Sequence, residues 1–80
     1  MAGEPSIDRE LNLQGEVCPY TFVKSKLALE VMQPGQVLRV IVDNDESASN
    51  VPRSMQSEGH GVLGVDKLND KDWQIIVQKA

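Results

Sequence analysis

Eighty residues with eight basic and twelve acidic side chains make one small domain of net charge −4, 40% apolar and 25% charged. That composition belongs to a globular rather than a disordered chain, and a domain this short buries only about 60% of the surface its unfolded form exposes. Scattered Lys and Arg on an acidic chain argue against unspecific nucleic-acid binding. The single cysteine excludes an internal disulfide framework, and no stretch approaches the ~20 apolar residues of a membrane span.

Residues 1–7 read as a flexible tail without the basic and apolar regions of a signal peptide, and residues 8–80 as a single domain. A cytoplasmic, reducing compartment is expected. Arg9 to Leu13 alternates polar and apolar residues and predicts a first strand ending before Gly15. Tyr20 to Met32 is rich in helix formers and stops at Gln33-Pro34-Gly35. Gln36 to Val42 is β-branched and nearly continuous, as a central strand requires, and Asp43 to Glu46 follows as a loop. Ser47 to Glu58 predicts a second helix closed by Gly59, with Ser47 or Ser49 as N-cap and Pro52 near its start. Gly61–Val65 and Trp73–Val77 then form two strands joined through the polar turn Asn69-Asp70-Lys71-Asp72. The order βαβαββ predicts an α/β two-layer sandwich, a four-stranded mixed sheet with both helices on one face.

The first helix carries two apolar stripes. Phe22, Leu29 and Met32 share a side with Ser25, while Val23, Leu27 and Val31 lie on the other. One stripe covers the sheet. The second either packs on the second helix, which is the simpler arrangement, or remains an exposed partner or self-association surface beside Cys18.

Cys18 is the candidate reactive residue. It precedes Pro19, and proline suits the first helical position, which makes Cys18 the N-cap of the first helix. A helix N-terminus favours an anion, and the thiolate is the reactive form of cysteine. In that arrangement the N–H groups of Tyr20 and Thr21 occupy the positions that donate to a cap side chain, and Lys24 and Lys26 add weak positive potential. Parallel pairing of the first two strands brings the Asp43–Glu46 carboxylates to the same end of the sheet, where they oppose that effect. His60, the only histidine, belongs at the far end of the second helix, ~15–18 Å away at ~1.5 Å per residue, so a Cys-His dyad is not expected. One Cys and one His do not build a tetrahedral metal site, and Gly59, Gly61 and Gly64 follow a helix rather than preceding one as a phosphate loop does. No cofactor or metal is expected. An activated thiol without a base, metal or resolving cysteine suits carrying a group, such as a sulfur atom held as a persulfide.

Gly15-x-x-Cys18-Pro19, the Met32–Gly35 helix end, Val40-Ile41-Val42-Asp43 and Gly59-His60 together resemble the small bacterial TusA/SirA-like sulfur carriers, over roughly Leu11 to Lys79. The resemblance implies the same two-layer βαβαββ sandwich. It also implies a persulfide carrier of the sulfurtransferase type with no independent turnover, in which Cys18 corresponds to the Cys-Pro-x-Pro cysteine and Pro19 to its first proline. The implied partners are a sulfur donor such as a cysteine desulfurase or a rhodanese-like protein, and an acceptor protein serving tRNA thiolation, cofactor synthesis or sulfur oxidation. Neither direct nucleic-acid contact nor a membrane is implied, and the protein is expected to be a monomer or weak dimer. Thr21 replaces the second motif proline, and Asn12 stands where an acidic residue is common. Thr21 restores an N–H and so predicts a slightly better stabilised thiolate; with Tyr20 it is expected to shape the surface a partner approaches. The alternative is a non-catalytic interaction or regulatory module in which Cys18 is structural.

Overall fold

The computed structural model describes residues 7–17 and 20–80; of the expected tail, only Ile7 falls among them. In chain order the elements are β1 (Arg9–Asn12), α1 (Tyr20–Glu30), β2 (Val37–Val42), α2 (Asp45–Ser57), β3 (Gly61–Lys67) and β4 (Trp73–Gln78). The sheet order is β1-β2-β4-β3. β1 runs parallel to β2, with Leu11 opposite Val40, and β4 runs antiparallel to both of its neighbours. Both crossovers, β1–α1–β2 and β2–α2–β3, step the same way across the sheet. Right-handed connections therefore put both helices on one face.

The core lies between those layers. Leu38, Val40 and Val42 of β2 and Ile75 and Val77 of β4 point at the helices and are fully buried against Leu29 of α1 and Val51 and Met55 of α2. Removing each such side chain from water contributes about 1.5–3 kcal/mol, which makes this cluster the main source of stability. The opposite face of the sheet is solvated and crossed by a polar ladder over all four strands. Glu10 pairs with Arg39 at 2.6 Å, the Arg39 Nε donates to Gln74 at 2.7 Å, and Gln74 donates to Asp66 at 3.3 Å. A mixed charged and polar row of this kind lets one face of a sheet meet water while its cross-strand neighbours still support one another.

Several boundaries differ from the sequence reading: β3 runs two residues further, to Lys67, and the other strands shift by one residue at an end. Helix α1 ends at Glu30, and the Met32 N–H closes a final turn on the Leu29 carbonyl. Helix α2 begins two residues early, at Asp45, because its N-cap is Asn44 rather than Ser47 or Ser49. Asn44 has extended backbone angles (φ −148°, ψ 153°), and its side-chain oxygen accepts the Ser47 N–H at 2.7 Å. Asp45 and Glu46 thus belong to the first helical turn, where carboxylates oppose the positive end of the helix dipole. Pro52, expected near the start of the helix, sits in the interior of α2, where the ring is buried and forgoes one main-chain bond. The far end of α2 matches expectation. Gly59 adopts φ +94°, its N–H reaches the Gln56 carbonyl, and the His60 N–H reaches Met55, which is a Schellman closure.

Candidate functional site

The carboxyl ends of β1 and β2 lie at one edge of the sandwich, and the β1–α1 connection crosses it. Asn12 ends β1 by accepting the Gln14 N–H on its own side chain at 2.9 Å, an Asx turn that any Asp at this position would make equally well. Gly15 follows at φ +87°, a left-handed conformation that favours glycine, and the Glu16 N–H returns to the Leu13 carbonyl.

This connection is fastened to the start of α2. The Gly15 N–H donates to the Asp43 carboxylate at 2.7 Å, and the Asn44 amide donates to the Glu16 carbonyl at 3.1 Å. Asn44 therefore does two things with one side chain: its oxygen caps α2 and its nitrogen holds the β1–α1 connection. One turn further in, the Thr21 and Ser47 hydroxyls meet at 2.9 Å between the two helices, both fully buried, and the Ser25 hydroxyl donates to the Thr21 carbonyl at 2.7 Å. The β3–β4 turn sits at the same edge. There Asn69 accepts the Lys71 and Asp72 N–H groups, and hydrogen bonds from the side chains of Asn69 and then Gln14 hold the Asp72 carboxyl below its usual range.

Cys18 and Pro19 lie outside the described residues, so the site is defined by what brackets them. On one side are Glu16 and Val17; on the other, Tyr20 and Thr21. The Tyr20 N–H, assigned to the sulfur on sequence grounds, donates to the Val17 carbonyl at 2.8 Å, and the Thr21 N–H reaches the same oxygen at 3.4 Å. Tyr20 is exposed, as a surface-shaping residue must be. Thr21 is not. It is buried between α1 and α2, so the sequence-based view of it as part of the approach surface is corrected: it locks the helices together from inside. Lys24 forms an ion pair with Glu16 of the same connection at 2.9 Å, which places a compensated charge beside the site. Lys26 points elsewhere, toward Glu58 at the far end of α2. His60 also lies at that far end, where its Nδ1 accepts the Ala80 N–H, and the thirteen residues of α2 span about 20 Å. Among the described residues no group of three or more His, Cys, Asp or Glu could hold a metal ion, and no helix is long and apolar enough to cross a membrane.

The second apolar stripe of α1 does not pack on α2. Val23, Leu27 and Val31 face solvent, with Leu27 55% and Val31 70% exposed, and Val17 and Tyr20 are exposed as well. The small and polar residues Thr21, Ser25 and Ala28, with Leu29, face inward instead. Sequence reasoning preferred the opposite arrangement because apolar stripes ordinarily seek cover. The signal that could have reversed it was the Thr21–Ser25–Ala28 spacing itself, which allows close approach of a second helix.

Comparison with known proteins agrees with the fold and gives the family. The family model "Sulfurtransferase TusA" matches residues 9–79. A candidate sulfur carrier protein of Archaeoglobus fulgidus is 49% identical over 69 residues, covering 86% of this chain and 78% of that protein. A second, TsuB of Escherichia coli, is 31% identical over 72 residues, covering 90% and 96%. Among solved structures, a SirA-like protein from Desulfitobacterium hafniense superposes with a TM-score of 0.78 at 25% identity, covering 88% of this chain and 95% of that one.

Proposed function

Because the chain belongs to the TusA sulfurtransferase family, we propose that Cys18 accepts sulfane sulfur as a persulfide and relays it to an acceptor protein. The observation that supports this most directly is that the one cysteine of the sequence falls inside the matched region, on a connection fastened at Gly15 and Glu16 to the start of α2. The backbone that leads into Cys18 is thereby anchored at Gly15 and Glu16.

The transfer is an exchange between sulfurs. The Cys18 thiolate attacks the outer sulfur of a donor persulfide, the donor S–S bond breaks, a new S–S bond forms on Cys18, and the donor leaves as a thiolate. The proton count is unchanged and no external oxidant is needed. An acceptor nucleophile then takes the outer sulfur in the same way and returns Cys18 to the thiolate. Each cycle begins and ends with a partner, which is why the donor, of the cysteine desulfurase or rhodanese type, and the acceptor decide whether the sulfur serves tRNA thiolation, cofactor synthesis or sulfur oxidation. A thiolate that must stay unpaired also belongs in a reducing, cytoplasmic setting. Incubation with inorganic polysulfide followed by intact mass measurement tests the proposal. A gain of one sulfur atom on wild type and none on Cys18→Ser is expected; no gain on wild type, or equal gain on the variant, refutes it.

A further inference from the structure

We propose that Asp43 is a positioning residue for sulfur transfer: with Asn44 and Ser47 it holds the segment that contains Cys18 by both ends, so that the carried sulfur is presented in one place. The inference rests on the carrier reading above. It adds residues that act on the cysteine through the backbone rather than by touching sulfur.

The clamp is built from described residues on either side of Cys18. The five-residue stretch Asp43–Ser47, where β2 gives way to α2, reaches the segment at three points. Asp43 Oδ2 accepts the Gly15 N–H at 2.7 Å, the Asn44 amide donates to the Glu16 carbonyl at 3.1 Å, and the Ser47 and Thr21 hydroxyls meet at 2.9 Å. Two of these contacts lie before Cys18 in the chain and one lies after it. The flanks are also tied to each other, since the Tyr20 N–H bonds the Val17 carbonyl at 2.8 Å across the two residues between them.

Within this clamp the bonds of Asp43 serve the segment rather than the helix. Asn44 caps α2, and Asp45 and Glu46 supply its first-turn carboxylates. Asp43 Oδ1 lies 3.5 Å from the Asn44 amide, so its two oxygens meet Gly15 and the side chain that holds Glu16. Gly15 is where such a hold is needed. It turns the chain at φ +87°, and among the described residues no neighbouring atom lies within 4 Å of the place a Cβ would take. Packing therefore does not fix its rotation, and a glycine does not fix its own. A carboxylate supplies a charge-assisted bond, roughly twice as strong as a neutral one. Exchange between sulfurs depends on alignment of the attacking and leaving atoms, and a displacement of about 1 Å can slow an aligned reaction 10²-fold.

The test reads position directly. Cys18 is the one cysteine, so a thiosulfonate nitroxide labels it alone and leaves a disulfide whose second sulfur is bonded to Cys18 as the carried sulfur would be. Electron paramagnetic resonance spectra are compared for wild type, Asp43→Ala, Asp43→Asn and Asp45→Ala. Asp45 carries the same charge two residues on and, among the described residues, makes no hydrogen bond to the segment. Expected is a nitroxide at least twofold more mobile in Asp43→Ala than in wild type. Asp43→Asn, which keeps an acceptor for Gly15, is expected to stay close to wild type, and Asp45→Ala to match it. Far-UV circular dichroism checks that each is folded, and Asp43→Ser, one atom shorter, replaces the Ala variant if that one is not. Equal mobility in wild type and Asp43→Ala overturns the clamp. So does an Asn variant as mobile as Ala, or an Asp45→Ala spectrum that matches Asp43→Ala, since charge rather than the bond would then be responsible. Uptake of sulfur from inorganic polysulfide by unlabelled wild type is followed alongside by intact mass. No uptake removes the carrier reading itself, and with it the sulfur assigned to the clamp, whichever way the spectra fall.

Discussion

Asn44 joins the stability of α2 to the position of the β1–α1 connection, and two substitutions separate those roles. Asn44→Ala deletes the 2.7 Å cap bond to Ser47 and the 3.1 Å bond to the Glu16 carbonyl. The cap contributes about 1 kcal/mol and the second bond about the same, a loss of ~2 kcal/mol in all. For a domain of this size that lowers the Tm by roughly 10 °C. Asn44→Asp keeps an equally good cap oxygen but cannot donate to Glu16, so about half of the loss remains, near 5 °C. The added carboxylate also lies beside the Glu16 carbonyl, two residues before Cys18 in the chain. An added negative charge disfavours a second anion nearby, so alkylation of Cys18 at neutral pH is expected to slow. Thermal melts followed by circular dichroism, with iodoacetamide kinetics on the same samples, measure both effects. An Asp variant no more stable than Ala would show that the cap bond is idle. One as stable as wild type, with unchanged alkylation, would refute the fastening of the connection by Asn44.

Leu29 is fully buried at the centre of the core, so Leu29→Ala is expected to destabilise by about 2–5 kcal/mol, measured by urea unfolding. Gly59→Ala forces a side chain into φ +94° at the end of α2 and is expected to cost ~1–2 kcal/mol, with the far-UV spectrum of the native state unchanged. Asp72 has a folded pKa below its ordinary 3.8, first through Asn69 and then through Gln14. Its contribution is therefore present above the ordinary carboxylate range and is lost as pH falls through the lowered value. Melts of wild type and Asp72→Asn in that acid window are expected to differ in slope; parallel curves would contradict the assignment.

The parts of this fold that could be read from sequence are those where one local rule acts alone. The β-branched run of β2, the Gly59 helix stop and the Asn69–Asp72 turn each follow from a single backbone preference, and all three stand where expected. The start of α2 is not among them, because Pro52 carries a helix-breaking signal that burial in the core overrides, while the capping role of Asn44 depends on partners at Glu16 and Ser47. At the site, sequence identified Tyr20 as a surface residue but not the inward turn of Thr21. Whether a threonine at a helix start faces water or a neighbouring helix depends on Ser47, twenty-six residues away. The two apolar stripes of α1 were visible, and the one with Phe22, Leu29 and Met32 meets the core, but hydropathy did not show that the Val23, Leu27 and Val31 stripe stays uncovered.

The uncovered second stripe has a consequence for how α1 is held. A helix seated by apolar contacts alone can settle at several rotations about its own axis with little difference in free energy, and α1 carries apolar side chains on two sides. The hydroxyls of Thr21, Ser25 and Ser47 act as index pins: they find all their partners at one angle and would be buried without them at any other. Three small polar groups thus keep a greasy row pointed at water, against the force that otherwise decides which way a helix faces.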